Sequence, residues 1–306
     1  MFKRILITGA NGFLASSMAA FLEMQVPQVV VTNMVRPKPN EKLPGGFLSC
    51  AFEDSEHLDR LLRDVQPEVI FHFAGGRYSN DEVTFHANVT TTRLLLASLA
   101  RIKLNTCRVI LPGSAAEYGN LSLPKITEDC LAQPLSWYGL VKLMQTQLGL
   151  FAARNGQEVL VARMFNILGA RTPSTLAMGM FAKQIVAIEQ GAVGVIKTKN
   201  LDGYRDFLDI EDVCAGLWGI AQFGVNGEIY NLCSEQAITI GDLLKHMLTQ
   251  STASGIDIQE NKHDTSASFN VIGSCQKLHQ LIGWKPKISI TQSVENTLAS
   301  YRQHAS

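Results

Sequence analysis

Short, almost wholly apolar runs alternate along this chain with longer stretches whose apolar residues recur every three to four positions. Arg4–Thr8 is rich in Ile, Leu and Thr, as a strand buried on both faces of a parallel sheet must be. From residues 13 to 22 the apolar positions fall at helical spacing, and "PQVVVTNMVR" then supplies a second buried strand. Gly9 and Gly12 bracket the turn between the first strand and the helix. Strand, glycine turn, helix and strand is the βαβ unit of a parallel sheet. The theme returns in "PEVIFHFAGG" (67–76), "CRVILPGSAAEYG" (107–119) and "EVLVARMFNILG" (158–169). Helical patterns over 54–65, 86–101 and 138–154 separate these strands. The pattern predicts an α/β fold with a doubly wound parallel sheet.

Composition narrows the class without changing the fold. The 306 residues are 46% apolar and 18% charged, as in an ordinary globular protein. Lys and Arg number 27, as do Asp and Glu, so no global field favours nucleic acid or an anionic membrane. No apolar run reaches the length of a membrane span, and "MFKRILITGA" is too soon interrupted for a signal peptide, so a cytoplasmic protein is expected. The six cysteines are scattered, which points to reduced core thiols and offers no metal-ligand spacing.

The candidate chemistry lies at strand ends. Gly9 and Gly12 leave room for a pyrophosphate at a helix N-terminus, and Ala15 holds the place of the usual third glycine. At the end of the second strand, where an acid suits NAD and an arginine suits NADP, the chain has Asn33, Arg36 and Lys38. Gly75, Ser114 and Asn166 fall at the carboxyl ends of three further strands, where such sheets bind ligands. Tyr138 and Lys142 stand four apart on the next helix, so a phenol and an ammonium share one face.

In that order "TGANGFLA" (8–15), "HFAGG" (72–76), Asn88 in "HANVTTT", "GSAAEYG" (113–119), "YGLVK" (138–142), "RMFNILG" (163–169) and "RDFLDIEDV" (205–213) resemble the short-chain dehydrogenase/reductase family, in its extended branch that works on nucleotide sugars. "YNLCS" (230–234) and "LIGWKPKISI" (281–290) carry the resemblance across nearly the whole chain. "FAKQIVAIEQG", "NLDGYRDFLDIEDV" and "GWKP" are most similar to the GDP-4-keto-6-deoxy-D-mannose reductases within it.

The resemblance implies a Rossmann-type sheet spanning 1–168, with 209–234 returning to it, and a smaller α/β substrate lobe from 169–208 and 235–306. It implies reduction of a sugar C4 ketone, with Ser114 holding the carbonyl oxygen, Tyr138 donating the proton, and Lys142 lowering the tyrosine pKa and binding the nicotinamide ribose. Cofactor contacts carry over to Gly9, Asn11, Gly12, Phe13, Leu14, Asn33, Arg36, Ala74, Gly75, Asn88, Tyr138 and Lys142, with NADP(H) favoured and NAD(H) the alternative. Substrate contacts carry over to Glu117, Asn166, Lys183 and Arg205, although Glu117 also reads as a structural hydrogen bonder and Arg205, beside Asp206 and Asp209, as a salt-bridge residue.

Position 116 separates relatives: the 4,6-dehydratases carry an acid there and the fucose-type epimerase-reductases a cysteine, whereas this chain has Ala116. That leaves simple reduction or C4 epimerisation. The chain departs from its relatives at Ala51, where an aspartate for the adenine amine is common, and in "HDTSASFNVIGS" (263–274), which lacks their arginine. GDP, CDP, dTDP and UDP sugars therefore all stay open, as do a C4 epimerase with bound NAD and a catalytically silent dinucleotide-sensing protein. A homodimer through a four-helix seam, with Leu94, Leu95, Leu96, Leu148, Leu150 and Phe151 as its apolar positions, is also implied.

Overall fold

In a computed structural model, the described residues are 2–37, 43–121, 123–199, 201–261 and 271–305. Lys38 and residues 263–270 lie outside them. The strands are β1 (Arg4–Thr8), β2 (Val30–Val35), β3 (Phe47–Ser49), β4 (Val69–His72), β5 (Arg108–Ser114), β6 (Val159–Met164), β7 (Asn166–Leu168), β8 (Val195–Lys199), β9 (Tyr204–Asp209), β10 (Ile229–Leu232), β11 (Ala237–Thr239) and β12 (Asp257–Asn261). The helices are α1 (Phe13–Gln25), α2 (Ser55–Val65), α3 (Asp81–Phe85), α4 (Thr91–Arg101), α5 (Trp137–Arg154), α6 (Ala177–Glu189), α7 (Ile210–Phe223), α8 (Ile240–Thr249), α9 (Gln276–Ile282) and α10 (Ile290–Ala305).

Seven parallel strands form the main sheet in the order β10-β6-β5-β4-β1-β2-β3. Its buried strands explain the continuous apolar runs. In β1, Ile5 and Ile7 face the core under α1 and α7, while Leu6 faces the opposite core under α2, α4 and α5. Every second residue thus enters a different hydrophobic layer, and the sheet is covered on both sides. The chain order reverses where β1 lies between β2 and β4, so the Gly9 turn and the Ala74 loop open side by side at the carboxyl edge.

Four local boundaries differ from the periodicity reading. The stretch 158–169 is two strands: β6 joins the main sheet, and after Phe165 the chain turns into β7, which pairs with β9 of a three-stranded sheet. The helix read from His86 begins earlier, at Asp81, because Asn80 caps it by accepting from Val83 N at 2.9 Å and two acids follow in its first turn. The π-helical turn His86–Thr90 then joins α3 to α4. The helices at 54–65 and 138–154 shift only at their first residue, with Asp54 and Ser136 as caps.

A third apolar cluster gathers α6, α8, α10 and Ile196 on β8. This lobe is tied to the main sheet by Asp206 on β9, which is fully buried. Its carboxylate accepts from Ser234 N and Ser234 Oγ, both at 2.7 Å, from Glu235 N at 3.0 Å and from Gly273 N at 3.1 Å. Of the seam positions, Leu95 and Leu96 lie in the core under α4, which removes them from any surface, whereas Phe151 is 59% exposed on α5. All six cysteines are free. No helix among the described residues is long and apolar enough to cross a membrane.

Replacing Asp206 by Ala would leave several buried donors without an acceptor, each costing about 1–3 kcal/mol. Chemical denaturation of Asp206→Ala should therefore show a loss of at least about 3 kcal/mol. A variant as stable as the parent would mean that the lobe is held by its apolar contacts alone.

Candidate active site

The first wall of the site is the turn after β1. Gly9 has φ +68°, and a Cβ there would stand 2.6 Å from Phe73 O, so this turn and the β4 loop can meet only at glycine. Gly12 N donates to Gly9 O at 2.8 Å, and Gly12 starts α1 without a side-chain cap. The first turn of α1 contains no acid. Its N–H groups and its positive dipole end therefore form a cradle that fits the pyrophosphate of a dinucleotide. Asn11 and Gly12 are exposed beside it, while Phe13 and Leu14 are partly buried and pack against the core. Ala15 is 1% exposed, small enough for α1 to lie close on the sheet.

The second wall is the loop after β4. Thr8 Oγ1 accepts from Ala74 N at 3.1 Å and lies 2.9 Å from His72 Nδ1. His72 is fully buried and its Nε2 has no partner; desolvation, with the nearby Lys142 charge, pushes its pKa down to about 3. Gly75 is exposed at the mouth of the loop. Asn88, read from the sequence as a cofactor contact, instead clamps this loop from within. Its Nδ2 donates to Gly76 O at 2.8 Å and to Thr84 O at 2.7 Å, and its Oδ1 accepts from Gly76 N at 3.2 Å. At 1% exposure, its amide is engaged by the protein, so Asn88 shapes the loop after β4 from behind.

The ribose end is less committed. Asn33 sits within β2, paired with Ile7 and donating its N–H to Gly46 O. Arg36 follows β2, and its guanidinium meets Glu53 at 2.7 Å, while His86 Nε2 meets the same carboxylate oxygen at 2.6 Å. Desolvation raises the Glu53 carboxyl, but a backbone hydrogen bond, the His86 hydrogen bond and the Arg36 charge hold it below the usual range. Any 2′-phosphate that Arg36 receives must compete with Glu53.

The catalytic candidates meet at the carboxyl end of β5. Ser114 ends that strand and caps the short 3₁₀ turn Ala115–Glu117, its Oγ accepting from Ala116 N at 3.2 Å. Tyr138 opens α5 against this turn. The approach depends on Gly139, where a Cβ would stand 2.4 Å from Ala116 O. Sequence reasoning passed over Gly139; its place beside Tyr138 was the available signal. Burial raises the Tyr138 pKa, the neighbouring Ser114 hydroxyl lowers it, Glu117 raises it and Arg77, in the loop after β4, lowers it. One turn on, Lys142 is 3% exposed and donates from Nζ to Gln145 Oε1 at 2.5 Å. Desolvation lowers the Lys142 pKa to about 8, opposed by the Glu117 charge. Ser114 and Arg77 are the groups that lower the Tyr138 pKa, while the Lys142 ammonium is held by Gln145.

Of the two readings of Glu117, the geometry agrees with the structural hydrogen bonder and not with the substrate contact. Glu117 is fully buried, and both oxygens are engaged: Oε1 accepts from Ser114 N at 2.7 Å and Oε2 from Arg163 Nε at 2.8 Å. It holds the turn together and has no oxygen left for a substrate. Arg163 also lies over the Tyr118 ring, 4.6 Å from its centroid.

The remaining substrate candidates are spread over the lobe. Arg205 lines a cavity of about 750 Å³ with Lys197, Lys199 and Glu260, close to the start of α6. Lys183 is exposed on α6 and is not part of that lining. Asn166 donates to Asp206 O at 3.0 Å at the junction of sheet and lobe. Among the described residues no group of three His, Cys, Asp or Glu could hold a metal ion.

Residues 5–233 match the model of the NAD dependent epimerase/dehydratase family. The chain is 28% identical to the GDP-6-deoxy-D-mannose reductase of Pseudomonas aeruginosa, with 98% of each chain covered. It is 24% identical to the dTDP-6-deoxy-L-talose 4-dehydrogenase (NAD(P)(+)) of Kitasatospora kifunensis, over 95% of this chain and 93% of that one. The solved structure of RMD from Pseudomonas aeruginosa complexed with NADPH superposes with a TM-score of 0.84 at 25% identity, covering 99% of this chain and 100% of that one.

The depressed His72 pKa has a consequence for stability. Between its ordinary value of 6.5 and about 3, the unfolded chain binds a proton that the native protein refuses. Stability therefore falls as pH drops through that window. His72→Gln removes this titration. Between pH 7 and about pH 5 the parent should lose about 2 kcal/mol more than the variant in parallel urea denaturations. Equal losses would mean that His72 is protonated in the folded state.

Proposed function

The chain belongs to the NAD dependent epimerase/dehydratase family, and from that premise we propose that it reduces the C4 ketone of a nucleotide-linked 4-keto-6-deoxy sugar with NAD(P)H. A GDP-linked sugar is the first candidate, since the GDP-6-deoxy-D-mannose reductase is a full-length relative. The observation that carries the reading is the meeting of Ser114 and Tyr138 at the end of β5 around Ala116, with Lys142 one turn along α5.

Tyr138 is the proton donor. A pKa raised by burial keeps its phenol protonated at neutral pH, with the Ser114 hydroxyl close by. Ser114 also orients the ketone oxygen. The bound dinucleotide supplies the hydride. The cradle at the start of α1 and the loop clamped by Asn88 hold its pyrophosphate and nicotinamide end, and Lys142 binds its ribose. NADP(H) is favoured, since Arg36 stands just past β2 with its side chain 66% exposed. Ala116 has neither a carboxyl to remove water nor a thiol to exchange protons, so C3 and C5 stay untouched. Lys197, Lys199 and Arg205 give the lobe cavity the positive charge that a nucleoside diphosphate requires. The same reading makes the protein a homodimer through α4 and α5, with the exposed Phe151 in the seam.

The test is incubation with GDP-4-keto-6-deoxy-mannose and NADPH in deuterated water, read by NMR and absorbance. One NADPH should be oxidised per sugar, with no solvent deuterium at C3 or C5. Deuterium at either carbon would contradict reduction alone. Interconversion of C4 epimers without net NADPH oxidation would make the protein an epimerase.

A further inference from the structure

We propose that Gln145 is a positioning residue for Lys142, holding the ammonium through an amide whose orientation is fixed by a buried relay to the cofactor loop. The proposal rests on the reading of Lys142 as the ribose-binding lysine of this site, but its geometry stands apart from any substrate.

Lys142 and Gln145 are three apart on α5 and share a face. Lys142 Nζ lies 2.5 Å from Gln145 Oε1, Gln145 Nε2 lies 2.9 Å from Thr92 Oγ1, and Thr92 Oγ1 lies 2.6 Å from Asn88 O. Gln145 is 1% exposed, Thr92 0% and Asn88 1%. Donor and acceptor roles follow from the far end of this chain. A backbone carbonyl can only accept, so the Thr92 hydroxyl must donate to Asn88 O. Thr92 Oγ1 is then an acceptor, and Gln145 must present its NH₂ to it. That turns the amide oxygen to Lys142, which has donors only. A flipped amide would face NH₂ to ammonium and would also leave Thr92 without a donor. The relay continues through Asn88, whose side chain clamps Gly76. The lysine and the cofactor loop are therefore positioned from one buried source.

The charged surroundings of Lys142 decide what Gln145 contributes. Glu117, from the turn after β5, favours the ammonium, but its charge is shared with Arg163 on β6. His72, at the end of β4, is held neutral partly by Lys142. Tyr138 lies on the same helix, and α4 offers only the uncharged Thr92. With desolvation acting against the charge, a fixed neutral acceptor is what keeps a buried ammonium in one place.

The test uses the full chain without substrate. Lysine side chains are labelled with ¹³C, the Lys142 signal is assigned by its loss in Lys142→Arg, and its titration is followed by NMR. Gln145→Met, of similar volume, should lower the Lys142 midpoint by about one pH unit, since a hydrogen bond to a charged group is lost. Thr92→Val should lower it less, by freeing the amide to flip. Gln145→Glu should raise it. A role in packing alone would not reverse sign between Met and Glu. An unchanged midpoint in folded Gln145→Met would overturn the proposal. If that variant does not fold, shifts of Thr92→Val and Gln145→Glu that are absent or of the same sign would overturn it. Failure to reduce any nucleotide ketosugar would refute the proposed function while leaving this titration to be decided on its own.

Discussion

The site depends on one buried ion pair. Glu117 and Arg163 are 0% and 3% exposed at the side chain, and removing two charges from water is costly. Burial raises the Glu117 pKa, and the Arg163 charge and the Ser114 N–H oppose it. That cost is offset by what the pair fixes. Glu117 sets the backbone of Ser114; Arg163 covers the Tyr118 ring; the Tyr118 hydroxyl donates to Asn231 Oδ1 at 2.7 Å. Asn231 on β10 in turn donates to Ile126 O and Ser274 O. The carboxyl ends of β5, β6 and β10 are thereby locked to each other and to the segment that leads into the lobe. The same carboxylate raises the pKa of both Tyr138 and Lys142. One interaction thus sets both the shape and the charge of the reacting corner.

Around that corner the work is divided between regions. Backbone amides at the start of α1 and the loop after β4 offer a surface for a dinucleotide, and neither needs a charged side chain. The positive residues Lys197, Lys199 and Arg205 stand in the lobe, where Asp206 bridges β9 to both the Ser234 loop and Gly273. The proposed binding groups and the proposed proton donor therefore sit on separate elements.

Most of the frame was legible in the sequence because it rests on local signals. Both faces of the central strands β1, β4 and β6 are buried, so apolar runs mark them; glycines and small residues mark the turns; Tyr138 and Lys142 share a face by spacing alone. What escaped depends on partners distant in the chain. Glu117 reads both as a substrate contact and as a structural hydrogen bonder until Arg163, 46 residues on, takes one of its oxygens. Asn88 reads as a cofactor contact until its amide is found wrapped around Gly76. Gln145 carries no signal by itself, since its meaning comes from Thr92, 53 residues earlier. The division of 158–169 into β6 and β7 was hidden because both pieces are apolar, and only their pairing partners differ.

The central claim is that Tyr138 gives its proton to the developing alkoxide while the rest of the site positions and holds. It is tested most directly by Tyr138→Phe, which removes one hydroxyl and keeps the ring. Single-turnover reduction of GDP-4-keto-6-deoxy-mannose should slow by about 10²–10⁴-fold, with NADPH affinity nearly that of the parent. Reduction at close to the parent rate would contradict the account.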